Sequence, residues 1–581
     1  MSKRVLVTTS DERTWPKDKP VLFLGEWCTR YSRRHVWESL DYKIMPCHWD
    51  DRREVHKTHA LLIKLVDELV VELSSKLNGL HGTDYSIRYW NILLGPWLHR
   101  FARILYDRWV TLQHAIESNE VKVCNVLDKE PLEWIPNDMT EFTAFAVSDD
   151  WNERLYAQIL HTFFAEKVDI HVLPHSDECK THSKQVPIKR RIVFGLLFLY
   201  NRLCTRMNDC FFISSRLPFV REAKLQLSLG QLPKLWRSCN PRKTPVEQEK
   251  REWKLVGPAD QSDFASLLRT FIPQQLPTAY LEGYVSLQEK SNSMPWPKNP
   301  KSIFTSNSFS ADDVFKQWSA RKSEEGSRLI IGQHGGFYGT SSLTVDEHHI
   351  MSTADSFITW GWQSKNSTTT VPVGIYKSAG KPTKSNLTGD VGLVELSVSR
   401  YRFHLSSHSQ QHYFDEQIRF VKSLPPEIAK KIKVKLYSSD YGWDQRMRWH
   451  DLARNIQISA SGLSITTFLQ QCRICVSTYN STTFLETMSC NYPTLMFWNP
   501  THWELREDAQ PHFDMLKDAE IFHTTPESAA HKLAEIWDNV NDWWQSDKVQ
   551  NARIKFCDQY AASPENMMKK FANALGQADS Q

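Results

Sequence analysis

The chain opens with a short apolar run at 4–8, a polar turn carrying Pro16, and a second run at 21–25 ending in Gly-Glu-Trp-Cys. Brief apolar runs bounded by turn residues predict strands. From about 56 to 117 the period changes. In LLIKLVDELVVELSSKL and YWNILLGPWLHRFARILYDRW the apolar residues recur at three and four, which predicts two long amphipathic helices, the second interrupted at Gly95-Pro96. Strand-like runs at 211–214, 302–305 and 329–331 then alternate with helical stretches at 150–164 and 311–319. A polar break at 376–392 precedes a second alternating series: strand 392–398, helix 413–424, strand 434–437, helix 465–471, strand 472–476, helix 482–489 and strand 494–497. Helical spacing returns over 529–576, with Trp537, Trp543 and Trp544 as packing anchors.

Strands alternating with helices predict βαβ units and parallel sheets. The expected fold is α/β, two Rossmann-like domains facing across a cleft. The first covers 1–384 with a helical insertion at about 56–117, the second covers 385–545, and helices over 546–581 cross back to the first.

Length and composition narrow the class. At 581 residues the chain is too long for one core, and 41% hydrophobic with 24% charged residues is the balance of a globular enzyme. The net charge of +4 is spread along the chain, so nothing demands nucleic acid. The start reaches charge and proline too soon for a secretory signal, and the apolar stretch 192–200 is about half a membrane span, with Arg202 and Arg206 following. The expected location is the cytoplasm, and any membrane contact is peripheral, at the inner face of the cytoplasmic membrane. Eleven cysteines without framework spacing fit reduced thiols, and the lone Cys472/Cys475 pair sits in a strand-like run.

Three stretches carry candidate chemistry. In RICVSTYNSTTFLETMSC a buried strand ends in a loop with Asn480, Ser481, Thr482 and Thr483 that opens into a helix, where free backbone N–H groups and the helix dipole make an anion site. Glu486, one turn on, could accept from a ribose diol; the alternative is a simple N-cap with Glu486 in solvent. In LIIGQHGGFYG a strand ends in glycines that present His334, a general base or phosphate-binding cation. Asp346, Glu347, His348 and His349 follow as a proton-transfer or acceptor-binding set, with a hydrogen-bonded turn and a zinc site as alternatives. Third, Glu26 at the end of an early strand is placed as an acceptor-side base, beside the polar cluster Asp50, Asp51 and Arg52, which could equally be a salt-bridged surface turn.

The motifs HWDDR, RYWNILLGPW, SNSFSADDVFKQW, GQHGGFYG, FITWGW and VSTYNSTTFLET resemble, over nearly the whole chain, a family of transferases of bacterial surface-carbohydrate gene clusters (O-antigen, capsule, lipopolysaccharide). More distantly the chain is similar to the two-Rossmann-domain (GT-B) glycosyltransferases, among them capsule transferases for keto-deoxy sugars and the teichoic acid glycerophosphotransferases. The resemblance implies a nucleotide-sugar donor on the C-terminal domain, a glycan or lipid-linked glycan acceptor on the N-terminal one, no cofactor and no obligatory metal. It matches His334 to the family's His-Gly histidine, Ser481 to Thr483 to the phosphate-side hydroxyls and Glu486 to the ribose-side carboxylate. A CMP-linked keto-deoxy or nonulosonic sugar is the donor it favours. Phe337-Tyr338-Gly339 replaces the Thr-Pro of the teichoic acid enzymes, which weighs against a polyol phosphate.

In the resulting reading, Arg402 or Arg446 stabilises the leaving nucleotide while His334 or Glu26 deprotonates an acceptor hydroxyl. The alternative is a non-catalytic carbohydrate-binding or scaffold protein, suggested by 22 tryptophans. Trp90, Trp97 and Trp109, however, lie at helical spacing and are expected in the core.

Overall fold

The computed structural model describes residues 3–128, 131–174, 188–258, 261–365, 367–377, 384–405 and 409–576. Among them the strands form three sheets, parallel throughout. The first holds β1 (Arg4–Val7), β2 (Val21–Phe23), β3 (Tyr42–Ile44), β4 (Val121–Leu127) and β5 (Asp169–Leu173), in the order β3-β2-β1-β4-β5. The second holds β6 (Phe211–Ile213), β7 (Ser302–Thr305), β8 (Arg328–Gly332), β9 (Ser356–Thr359) and β10 (Thr370–Pro372), in the order β10-β9-β8-β7-β6. The third holds β11 (Asp390–Val394), β12 (Ile432–Lys435), β13 (Gln457–Ile458), β14 (Cys472–Ser477), β15 (Thr494–Phe497) and β16 (Phe522–His523), in the order β13-β12-β11-β14-β15-β16.

The N-terminal half thus carries two sheets where the sequence suggested one. The strands that hid the first are polar on one face: β3 is YKI and β5 is DIHVL, mostly exposed, so neither forms an apolar run. Between the halves, residues 378–383 of the polar break lie outside the described residues.

The two long helices, Arg52–His81 and Ile87–Glu117, form the connection from β3 to β4. Asp51 caps the first by accepting from Arg53 N at 3.0 Å, and Gly82 ends it at φ 62°. Ser86 caps the second. That helix runs unbroken through Pro96, against expectation. Gly95 serves close packing instead: a Cβ there would stand 2.6 Å from the His349 ring on the neighbouring helix Val345–Thr353. Trp90 and Trp97 are fully buried and Trp109 partly so. At the end of the chain, Trp544 is buried, and the helix Met567–Gly576 packs on β7 and β9.

Candidate functional site

The loops that follow β8 and β14 touch. A Cβ on Gly336 would lie 2.2 Å from the carbonyl oxygen of Ser481 and 2.8 Å from Thr482 N, so a bare backbone is what allows this approach. The β8 loop is held by Gln333. Its Oε1 accepts from Trp360 N and Trp362 Nε1, both at 2.9 Å, and its Nε2 donates to Gly335 O at 2.8 Å. The two tryptophans of the WGW motif are therefore core residues that fix the loop bearing His334.

His334 lies between acid and cations. Burial pulls its imidazole down to about 4, opposed by Asp346, while Arg216 and Lys377 add to the depression. Near neutrality it is uncharged and able to accept a proton. Tyr338 Oη stands 3.4 Å from His334 Nδ1. Burial pushes Asp346 up, but Arg100, His404, His334 and His349 outweigh it and hold the carboxyl below its usual range. The next residues serve other ends. Glu347 accepts from Gly339 N at 2.8 Å and pairs with Arg506 of the third-sheet domain at 2.9 Å. His348 Nε2 lies 3.2 Å from Asp67.

On the facing loop, Asn480 and Thr483 are buried, and Ser481 begins the helix Thr482–Ser489 without a side-chain cap. The oxygens Ser477 Oγ and Asn480 Oδ1 are buried without partners. Glu486 is not in free solvent: Lys377 Nζ sits 2.9 Å from its Oε1. Nearby, at the carboxyl end of β11, burial pushes Glu395 up to about 8. Trp449 Nε1 donates to its Oε1 at 3.0 Å, and Oε2 has no partner. The third sheet reverses its order between β11 and β14, so these groups stand at the switch point where such sheets bind ligands.

A cavity of about 790 Å³ opens beside this point at the ends of β12 and β13, lined by Tyr437, Asp440, Arg446, His450, Ser461 and Leu463 among others. Arg446 belongs to it and is exposed, whereas Arg402 is buried and directed at Cys47 Sγ, 3.0 Å away in the N-terminal half. Asp51 serves as a helix cap, Asp50 is exposed beside it, and the neighbouring Arg52 pairs with Glu504 at 2.7 Å. Glu26 Oε2 accepts from Ser409 Oγ at 2.9 Å at the start of the helix Gln410–Lys422, a bond joining the first and third sheets' domains. A second such bond pairs Arg400 with Asp149 at 2.8 Å.

Sequence reasoning missed Lys377, Arg216 and Glu395. Lys377 and Arg216 act on His334 only through the tertiary fold, and Glu395 falls inside the strand expected at 392–398, whereas β11 ends at Val394. Asp67, His99 and His348, from three helices, have ligand atoms within 4.8 Å of one another, a spacing that could hold a metal ion. The guanidinium of Arg103, with Nη1 3.4 Å from His99 Nδ1, opposes a cation there.

The model of the LIC12162 family transferases matches residues 4–575. The chain belongs to that family. No curated protein matches this transferase. Among solved structures it is similar to S. aureus MnaA with UDP, at 9% identity over 64% of this chain and 95% of that one, TM-score 0.35. It is similar to MurG of Acinetobacter baumannii at 10% identity over 78% and 98%, TM-score 0.29. It is also similar to WaaG, described as a glycosyltransferase of lipopolysaccharide biosynthesis, at 9% identity over 64% and 100%, TM-score 0.29. Superpositions this loose assign no ligand to the chain. Among the described residues no helix is long and apolar enough to cross a membrane.

Proposed function

We propose that this transferase moves a sugar from a nucleotide-activated donor to a hydroxyl of a bacterial surface glycan or its lipid-linked precursor. The observation that carries the reading is the meeting of the His334–Gly336 loop with the Ser481 loop, at the carboxyl ends of β8 and β14. One loop brings a neutral imidazole backed by Asp346, and the other a helix start with free N–H groups.

In this reading the donor's nucleoside occupies the cavity at β12 and β13, where Arg446 and Tyr437 contact it. The cavity's β12 side is two strand positions from β14, about 10 Å, which is the reach from a nucleoside to its phosphates. The phosphates lie at the start of the helix Thr482–Ser489, against Ser481, Thr482 and Thr483, with Lys377 and Arg216 taking the charge that develops on the leaving group. Glu486 orients Lys377 and accepts from the ribose. His334 removes the acceptor proton as the glycosidic bond forms and the bond from the anomeric carbon to the phosphate oxygen breaks. Glu26 and Arg402 are engaged in bonds between the two halves of the chain and take no part in the transfer.

The scaffold alternative loses its main support, because Trp49, Trp90, Trp97, Trp151, Trp360, Trp362, Trp449, Trp498 and Trp544 are core residues with under 2% exposure. The test is a thermal-shift panel of CMP, UDP and dTDP followed by transfer assays with the sugar of the stabilising nucleotide. Stabilisation by one nucleotide, weakened by Arg446→Ala, is expected; absence of stabilisation by all three removes the donor site.

A further inference from the structure

The helix Ile188–Cys204, between β5 and β6, turns an apolar stripe outward. Leu196, Leu199, Tyr200 and Leu203 recur at three and four residues, one face of a helix, and are 64%, 52%, 42% and 75% exposed. A helix on a globular domain normally buries such a stripe. Here the opposite face makes the attachment: Asn201 is buried, and its Nδ2 donates to Leu235 O at 2.9 Å. The following helix, Phe219–Ser228, is tied to the same segment by Gln226 Nε2, 2.9 Å from Lys234 O, and leaves Phe219, Val220 and Leu227 exposed in turn. Scattered exposed apolar side chains are ordinary, but a continuous stripe this well exposed marks a contact surface.

The charge of the helix indicates what covers it. Its sequence, IKRRIVFGLLFLYNRLC, holds Lys189, Arg190, Arg191 and Arg202 and no acidic residue, and exposed Arg206 follows its end. A second copy docked by this face would set one cationic helix against another, since a two-fold contact uses the same patch on both partners. Anionic headgroups complement it. The helix is about 25 Å long and is not apolar enough to span a bilayer, so it suits the interface plane, with Leu196, Leu199 and Leu203 among the acyl-chain ends and the exposed Arg202 and Arg206 at the phosphates.

We propose that the helix Ile188–Cys204 is a docking element for an anionic lipid bilayer surface. The proposal does not depend on the donor or acceptor assigned above, because its test measures partition and not turnover. The full chain is floated with vesicles of phosphatidylglycerol and phosphatidylethanolamine, and separately with vesicles of phosphatidylcholine alone. Binding to the anionic vesicles is expected, with a partition coefficient about tenfold lower on the neutral ones. The double variant Leu199→Glu with Leu203→Glu should lose about as much on anionic vesicles while its thermal unfolding midpoint stays that of the parent, since both residues lie in water. Arg202→Glu should weaken binding at low salt and flatten its salt dependence. Failure of the parent to float, or equal flotation of parent and double variant, overturns the proposal. So does a dimer in light scattering that the double variant dissociates, because the occupant is then a second copy.

Discussion

Lys377 Nζ and Glu486 Oε1 stand 2.9 Å apart, joining the end of the second sheet to the helix Thr482–Ser489 behind the Ser481 loop. The pair is only partly shielded, so its direct energy is small. Under the proposed function its role is positional, presenting an ammonium to the donor phosphates and a carboxylate oxygen to the ribose.

Glu486→Ala should weaken the stabilising nucleotide by about 1 to 3 kcal/mol, roughly 5- to 150-fold, through the loss of charge-assisted bonds. Lys377→Ala should weaken a nucleoside diphosphate and leave the free nucleoside nearly unaffected. Calorimetry on both variants checks this. Unchanged affinity for Glu486→Ala removes the carboxylate from the donor site.

His334→Ala should lower turnover by roughly a hundredfold or more while nucleotide affinity stays close to that of the parent. If affinity falls together with rate, the imidazole contacts the donor phosphate, and Asp346 becomes the better base. Steady-state rates beside calorimetric affinities separate the two, and full activity rules out both roles.

Gly336→Ala places a methyl group within 2.2 Å of a backbone oxygen that has no rotamer to escape into. The two loops must then part, at a cost of about 1 to 3 kcal/mol. Transfer activity is expected to collapse while circular dichroism stays native, and Gly335→Ala, whose nearest neighbour is the Phe337 ring at 3.0 Å, should be milder. Equal activity in the two variants would show that the contact is not needed for turnover.

The buried histidines should cost stability on acidification. Burial holds His349 down to about 3, and it holds His99 well below its ordinary value of 6.5. Both are neutral in the fold and charged when unfolded below about 6.5, so the unfolded chain binds more protons and gains from each lowering of pH. The stability these groups contribute is present above about 6.5 and is lost progressively toward pH 4. Urea midpoints across that range check it, and His349→Gln should flatten the slope; a flat profile in the parent contradicts the burial of these rings.

Chelation should leave transfer unchanged, since the charge of the leaving group is assigned to the helix start, Lys377 and Arg216. Activity assayed after EDTA treatment and again with added zinc tests this. A loss restored by metal would move attention to Asp67, His99 and His348.

The sequence by itself determined what depends on neighbours along the chain. Ser302–Thr305, Thr482–Ser489 and Thr494–Phe497 begin and end where the periodicity places them, because buried parallel strands and amphipathic helices write their period into adjacent residues. The two loops that meet were legible for the same reason: glycines and hydroxyls follow strand ends directly. Tertiary structure decided the rest. The first sheet's edges are polar runs with no period to read, so two N-terminal sheets looked like one. Pro96 stays helical because packing around a buried helix outweighs one lost hydrogen bond. Glu486 finds Lys377, and Gln333 finds Trp360 and Trp362, across stretches of chain that carry no local sign of the partner. That pairing is set by where whole sheets stand against one another, and only the folded chain fixes it.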